Sequence, residues 1–136
     1  MDTNITKVLV VDYYEINRLQ MMSRLQEMGY SVEAYQALSS DKLTGKHFDL
    51  AIIGIQVGSD NEEVIVSNIT AIRTHEDVQV NSVPILGLFM SDHNDFVKMA
   101  YRAGIDSHRM KMLSKEMFCL EVAAMLKFAN RMKNLK

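Results

Sequence analysis

Hydrophobic residues occur along the chain in short runs separated by segments of helical spacing. The most uniform run, residues 48–56 (FDLAIIGIQ), is apolar through its middle, reaches Gly54, and leads into the turn-like residues 57–61. Short apolar runs bounded by turn residues are typical of strands buried on both faces of a parallel sheet. Functional side chains gather where parallel strands end. Gly54 therefore occupies a position where a reactive group is expected, and it has no side chain.

Four further runs have strand character, at residues 7–12, 30–35, 84–89 and 105–111, and the last is polar enough for an edge strand. Helical spacing occupies residues 15–28, 39–45, 60–73, 92–103 and 114 onward, whereas residues 74–82 are polar and are predicted to form a loop. The order is a strand–helix unit repeated five times. Right-handed crossovers then give a parallel sheet with helices on both faces.

The spacing of apolar residues predicts which side of the first and last helices faces the core. In the first helix the predicted inner face, with Ile16 beside it, consists of Leu19, Met22, Leu25 and Met28. The last helix begins at Ser114, which is predicted to cap it. Its predicted inner face consists of Met117, Leu120, Ala124 and Phe128.

Composition excludes several classes of protein. A chain of 136 residues with 48% hydrophobic and 24% charged residues suits one globular domain, structured from about residue 5 to about residue 130. A net charge of -2 gives no argument for binding nucleic acid or a membrane surface. No apolar run is long enough to span a bilayer and no signal peptide is evident, so a cytoplasmic location is expected. The single Cys119 excludes an intramolecular disulfide, and the four histidines lack metal-ligand spacing.

Several segments resemble a known family in the same order. VLVVD at residues 8–12 followed by EINR at 15–18 resembles the opening of receiver domains of two-component response regulators. FDLAII at 48–53, PILGL at 84–88, AGID at 103–106 and Lys111 follow at receiver-like spacing, so the resemblance covers essentially the whole chain. It implies a flavodoxin-like, doubly wound α/β fold with a five-stranded parallel sheet of order 2-1-3-4-5. No Gly-rich phosphate loop follows the first strand, which argues against nucleotide binding.

A working receiver, as the family implies, accepts a phosphoryl group from a histidine kinase on an aspartate that ends the third strand. An acidic pair after the first strand holds Mg²⁺, and a Ser or Thr and a Lys bind the phosphoryl oxygens. In this sequence the acceptor position is Gly54, and the acidic pair is Asp12 with Tyr13. The hydroxyl position is Phe89, and the lysine is Lys111.

These substitutions predict a degenerate receiver that forms no aspartyl phosphate, holds no metal or cofactor, and is not an enzyme. Tyr13 and Phe89 are expected to close over the space that the metal and the phosphoryl group would fill. Asp12 either pairs with Lys111 or caps backbone groups. The switch-equivalent residues are Phe89 and His108, and a pH-sensitive role for His108 is an alternative.

The resemblance then implies signalling by protein binding. One version uses the first helix to bind a histidine kinase or phosphotransfer domain and to inhibit phosphotransfer, with the candidate contacts Ile16, Arg18, Leu19 and Met22. The other uses the helix, strand and helix that end the chain to bind a second copy or an unrelated effector, with the candidate contacts Tyr101, Arg102, His108, Arg109 and Met110. Two rivals differ in class. One is an unusual phosphoacceptor receiver, whose nearest acids are Asp49 and Asp60, and the other is a small-molecule binding domain.

Overall fold

The computed structural model describes residues 5–56, 62–90, 94–110 and 113–133. Within these residues the strands are β1 (Lys7–Val11), β2 (Ser31–Tyr35), β3 (Leu50–Ile55), β4 (Ile85–Phe89) and β5 (Ser107–Met110). The helices are α1 (Glu15–Glu27), α2 (Ser40–Leu43), α3 (Glu62–Arg73), α4 (Val78–Asn81), α5 (Asn94–Ala103) and α6 (Lys115–Lys133).

The five strands form one parallel sheet in the order β2-β1-β3-β4-β5, which confirms the predicted flavodoxin-like fold. The strand that contains Gly54, β3, lies at the centre, and all six of its residues are buried. Its neighbours pair in register, with Val10 and Leu86 on either side of Ile52. The edge strand β5 is shorter than predicted, since it begins at Ser107.

Alternate residues of each strand face two separate cores, because side chains along a strand point to opposite sides of the sheet. Leu9 and Val11 face the core that includes α3 residues such as Ile69. Val8 and Val10 face the other core, which is completed by α1 and α6 through Met21, Leu25, Phe118 and Val122. The helices α1 and α6 therefore share one face of the sheet.

The segment 74–82 contains a helical turn, so the prediction of a loop throughout is wrong. The Asp77 carboxylate accepts a hydrogen bond of 2.9 Å from the Gln79 amide and caps α4, and Val80 is buried within this turn. Four residues are too few to show helical periodicity in a sequence. The only hints in the sequence were Asp77, a residue type that often caps helices, and the apolar Val80 within a largely polar segment.

The predicted inner faces of α1 and α6 are partly wrong. In α1, Met21 and Leu25 are buried, whereas Leu19 is exposed. In α6 the buried residues are Phe118 and Val122. The residues predicted to face inward lie on the exposed side, and they are Met117, Leu120, Ala124 and Phe128.

The helix α6 is apolar on two sides, so spacing alone could not choose between them. The side with Phe118 packs against the sheet and α1, where the Arg24 guanidinium lies 5.6 Å from the Phe118 ring centroid. The predicted cap is confirmed, since the Ser114 hydroxyl accepts a hydrogen bond of 3.1 Å from the Met117 amide. Among the helices described, none is long and apolar enough to cross a membrane.

Candidate functional site

Three predicted site residues meet at one edge of the sheet. Asp12, Gly54 and Phe89 stand at or next to the C-terminal ends of β1, β3 and β4, which are adjacent strands. Gly54 pairs in register with Leu88, and the next residue of β3 pairs with Phe89. Gly54 is buried and offers only backbone atoms. The parallel sheet therefore brings these three residues together at the predicted site. Its central strand, however, supplies no nucleophilic side chain there.

Asp12 is almost fully buried, with 1% of its surface exposed. Its Oδ1 accepts hydrogen bonds from the Tyr14 amide at 3.0 Å and from Asn17 Nδ2 at 3.3 Å. The Arg18 guanidinium donates to the carbonyl oxygens of Asp12 and Tyr13 at 2.8 and 3.0 Å. Asp12 thus ties the end of β1 to the beginning of α1, in agreement with the alternative in which it caps backbone groups.

The side chains at this edge are a poor donor set for Mg²⁺, which prefers several oxygen ligands in octahedral geometry. Asp12 supplies one carboxylate, and one of its oxygens already accepts two protein hydrogen bonds. In the part of the chain that the structure describes, no cluster of three or more His, Cys, Asp or Glu side chains could hold a metal. Lys111 and Asp60 lie outside the described residues.

Phe89 is fully buried, and its ring lies back along β4 over Gly87. A Cβ at Gly87 would be 3.3 Å from Phe89 Cε1 and 3.2 Å from Ile105 Cδ1. Tyr13, in contrast, is 53% exposed, and its ring meets the Tyr14 ring edge-on at 5.1 Å. The expectation that Tyr13 and Phe89 together close one space therefore does not match the structure, because Phe89 belongs to the core and Tyr13 to the surface.

His108 connects the buried end of β4 with the surface of α5. Its ring meets the Phe89 ring edge-on at 5.8 Å and the Tyr101 ring edge-on at 5.4 Å. The Tyr101 hydroxyl lies 2.8 Å from His108 Nδ1. On the sequence alone, Phe89 and His108 are the switch-equivalent residues, and His108 and Tyr101 are candidate partner contacts. The structure brings them together as one row of rings.

The predicted contact residues on α1 differ in their exposure to solvent. Ile16 and Leu19 are 79% and 56% exposed, whereas Met22 is half-buried. Arg18 is also half-buried, and its guanidinium holds two backbone carbonyls. We call the exposed residues Tyr13, Tyr14, Ile16 and Leu19 the α1 patch.

The predicted contacts near β5 form a mixed aromatic and cationic surface. Tyr101 and Arg102 are exposed on α5. Arg109 forms an ion pair of 3.0 Å with Glu121 of α6 and donates to the His108 carbonyl at 2.7 Å. Met110 is half-buried. This surface therefore joins α5, β5 and α6 through direct contacts.

The sequence did not predict that α6 presents apolar residues to the surface. Leu120 and Phe128 are 57% and 56% exposed, although their spacing indicated an inner face. A count of apolar positions around the whole helix would have shown that they cover more than one face.

No protein-family model and no curated protein sequence matches the chain. Solved structures match it along nearly its whole length. The chemotaxis protein CheY4 of Vibrio cholerae superimposes with a TM-score of 0.76 at 21% identity, covering 89% of this chain and 98% of that one. A CheY-like receiver domain protein from Methanospirillum hungatei gives 0.73 at 16% identity, covering 94% and 98%.

A response regulator from Thermotoga maritima gives a TM-score of 0.72 at 19% identity and covers 90% of this chain and 98% of that one. Identities of this size establish the fold alone. The strand order and parallel register agree with this likeness. The chain has the fold of CheY-like response-regulator receiver domains.

Proposed function

We propose that this chain is a phosphorylation-independent signalling domain that acts by binding a protein partner. The observation that carries the proposal is Gly54, which is buried at the end of the central strand where three strand ends meet. A phosphoryl acceptor needs a nucleophilic side chain, and glycine supplies none. The receiver-like fold supports a role in two-component signalling.

The other residues at this edge of the sheet also support a loss of phosphotransfer chemistry. Asp12 is bonded to the beginning of α1, Phe89 fills the core in place of a hydroxyl, and Tyr13 faces outward. In this proposal Asp12, Tyr13, Gly54, Phe89 and Lys111 occupy the positions of a degenerate phosphorylation pocket, without metal, cofactor or enzymatic activity. The domain then signals only through its surface.

The partner that we favour is a histidine kinase or a histidine phosphotransfer domain, bound through the α1 patch. Ile16 and Leu19 are three residues apart and lie on the same side of the helix. Tyr13 and Tyr14 extend the same end of α1 with two rings in edge-on contact. Single exposed apolar residues are ordinary, but a group of four suits a binding surface. By occupying the surface on which an authentic receiver docks, the domain would compete with that receiver and inhibit phosphotransfer.

A reconstituted phosphotransfer assay tests this proposal. A candidate histidine kinase and its authentic receiver are incubated with increasing amounts of this chain, and labelled receiver is measured. We expect transfer to fall with the wild type and to recover with Ile16→Lys. The matched control is Val78→Lys on α4, since Val78 is an exposed apolar residue too, at 66%.

Two outcomes contradict the proposal. One is unchanged transfer with the wild-type chain across the kinases of the source organism. The other is equal inhibition by the wild type and by Ile16→Lys, which would exclude the α1 patch as the contact.

A second candidate function is binding of an effector or a second copy through the surface that joins α5, β5 and α6. It is favoured by the exposed Tyr101, which is hydrogen-bonded to His108, and by the neighbouring side chains of Arg102 and Arg109. Aromatic and arginine side chains are enriched at protein interfaces. Tyr101→Ala should abolish such binding in a pull-down with the candidate effector and leave inhibition of phosphotransfer unchanged. Unaltered capture by Tyr101→Ala would count against this surface.

A further inference from the structure

The last helix carries a second apolar face that no described part of the chain covers. While Phe118 and Val122 pack in the core, other large side chains of α6 point outward. Met117, Leu120, Phe128 and Met132 are 50%, 57%, 56% and 46% exposed, and Ala124 is exposed among them. We call these five residues the outer stripe. A helix that is apolar on most of its circumference is expected to be covered on both sides.

The outer stripe is continuous along the helix. Its residues follow one another at spacings of three or four positions, so they share one face over about 22 Å of helix. Beside its C-terminal half lies a cavity of about 520 Å³, lined on the sheet side by Pro84, Asp106 and Ser107 and on the α6 side by Phe128 and Met132. This cavity lies between the C-terminal half of the outer stripe and the edge strand β5.

The charges beside the stripe change sign along the helix. Glu116 lies near its N-terminal end, whereas Lys127 and Arg131 lie near its C-terminal end, and all three are exposed. With 3.6 residues per turn they fall on the same flank of the stripe. Glu121, on the other flank, is already paired with Arg109 of its own chain. The small Ala124 is at the midpoint of the stripe.

This pattern is self-complementary for two antiparallel helices. If Ala124 faces its own copy, Leu120 of one chain faces Phe128 of the other, and Glu116 comes within reach of the other chain's Arg131. A parallel arrangement would place acid beside acid and base beside base. Two-fold symmetric interfaces use one surface patch twice, and charges of opposite sign fix their orientation.

We propose that the occupant of the outer stripe is a second copy of this chain, with the two α6 helices packed antiparallel about a two-fold axis at Ala124. This proposal rests on the second candidate function in taking a second copy as the partner, and it places the contact on the outer stripe of α6 instead of on Tyr101 and its neighbours. It does not depend on binding of a kinase by the α1 patch.

Sedimentation equilibrium over a wide range of protein concentrations tests the association. We expect a reversible dimer for the wild type and at least a tenfold weaker dimer for Ala124→Arg, whose long side chain prevents close approach. Because Ala124 is exposed, circular dichroism should show an unchanged fold. Ile16→Lys is the control and should dimerise like the wild type. A monomeric wild type at every concentration, or equal association of Ala124→Arg, would overturn the proposal.

Disulfide trapping tests the orientation. In a Cys119→Ser background, Ala124→Cys should give a crosslinked dimer under mild oxidation, because the two positions face each other. Met117→Cys should not crosslink with itself, since the two copies of residue 117 lie at opposite ends of the interface. Equal crosslinking at both positions would show a parallel pair and contradict the two-fold arrangement. The phosphotransfer assay with Ala124→Arg separates the two proposals, because inhibition through the α1 patch should persist.

Discussion

The Tyr101 hydroxyl lies 2.8 Å from Nδ1 of His108, whose ring also contacts the buried Phe89 ring edge-on. These three residues form a direct path from the end of β4 to the surface of α5. Phe89 is held in the core, so the path has a fixed inner end. A surface fixed in this way agrees with a domain that binds its partner without a phosphorylation switch.

The packing of Phe89 over Gly87 predicts an energetic coupling between these two positions. Gly87→Ala should destabilise the fold by about 1–3 kcal/mol, because the new methyl group would crowd Phe89 and Ile105. Phe89→Leu removes the ring edge, so Gly87→Ala should cost less in that background, by at least about 0.5 kcal/mol. Urea unfolding of the two single variants and the double variant gives the coupling. Strictly additive changes would show that the two residues do not crowd each other.

Arg73 joins α3 to two other segments, residues 81–83 and 104–106, and should be a strong contributor to stability. Its guanidinium donates to the carbonyls of Gly104, Asn81 and Val83 and to the Asp106 carboxylate, at distances of 2.7 to 2.9 Å. Lysine cannot reproduce this planar set of donors.

The expected result for Arg73→Lys is a loss of about 2–3 kcal/mol in the free energy of unfolding, measured by urea denaturation. The matched control is Arg131→Lys on the exposed side of α6, which should change stability by less than about 0.5 kcal/mol. If both variants unfold at the same urea concentration as the wild type, Arg73 does not hold these segments together.

Glu33 should make stability dependent on acidity. A hydrogen bond of 2.7 Å from Lys46, with a second from Tyr35, holds the pKa of Glu33 below its ordinary value of 4.5. Because the folded state favours the ionised carboxylate, its contribution to stability is fully present above pH 4.5 and is lost as the pH falls through the lower folded pKa.

Glu33→Gln tests this sign. The difference in the free energy of unfolding between wild type and Glu33→Gln should be constant near about pH 6 and should shrink toward about pH 3. Glu76→Gln, at an exposed acid, supplies the baseline. A difference that grows as the pH falls would mean that the protonated form of Glu33 is the one stabilised by the fold.

Much of the fold could be predicted from local patterns. The apolar runs that end in turn residues located the strands, and Gly54 was placed at the end of the central strand because β3 is apolar along its whole length. The direction of the Phe89 ring was not predictable. It depends on the space above Gly87 and beside Ile105, and these two residues are brought there only by the folded chain.

The inner face of α6 could not be predicted from the sequence either. Both sides of this helix have helical spacing of apolar residues, so the sequence indicates an amphipathic helix in either orientation. The choice is made by tertiary contacts, such as the packing of Phe118 against the sheet and beside Arg24. The other apolar side, with Leu120 and Phe128, is left exposed at the surface, where a partner can bind it.

Intact mass measurement can decide whether this domain accepts a phosphoryl group. The chain is incubated with acetyl phosphate and Mg²⁺ beside a receiver that carries the acceptor aspartate, and both masses are then measured under conditions that preserve acyl phosphates. We predict that the control receiver gains one phosphoryl group and that this chain, with Gly54 at the acceptor position, gains none. A gain of one phosphoryl group on an acidic residue of this chain would show that the domain can be phosphorylated and is not a phosphorylation-independent receiver.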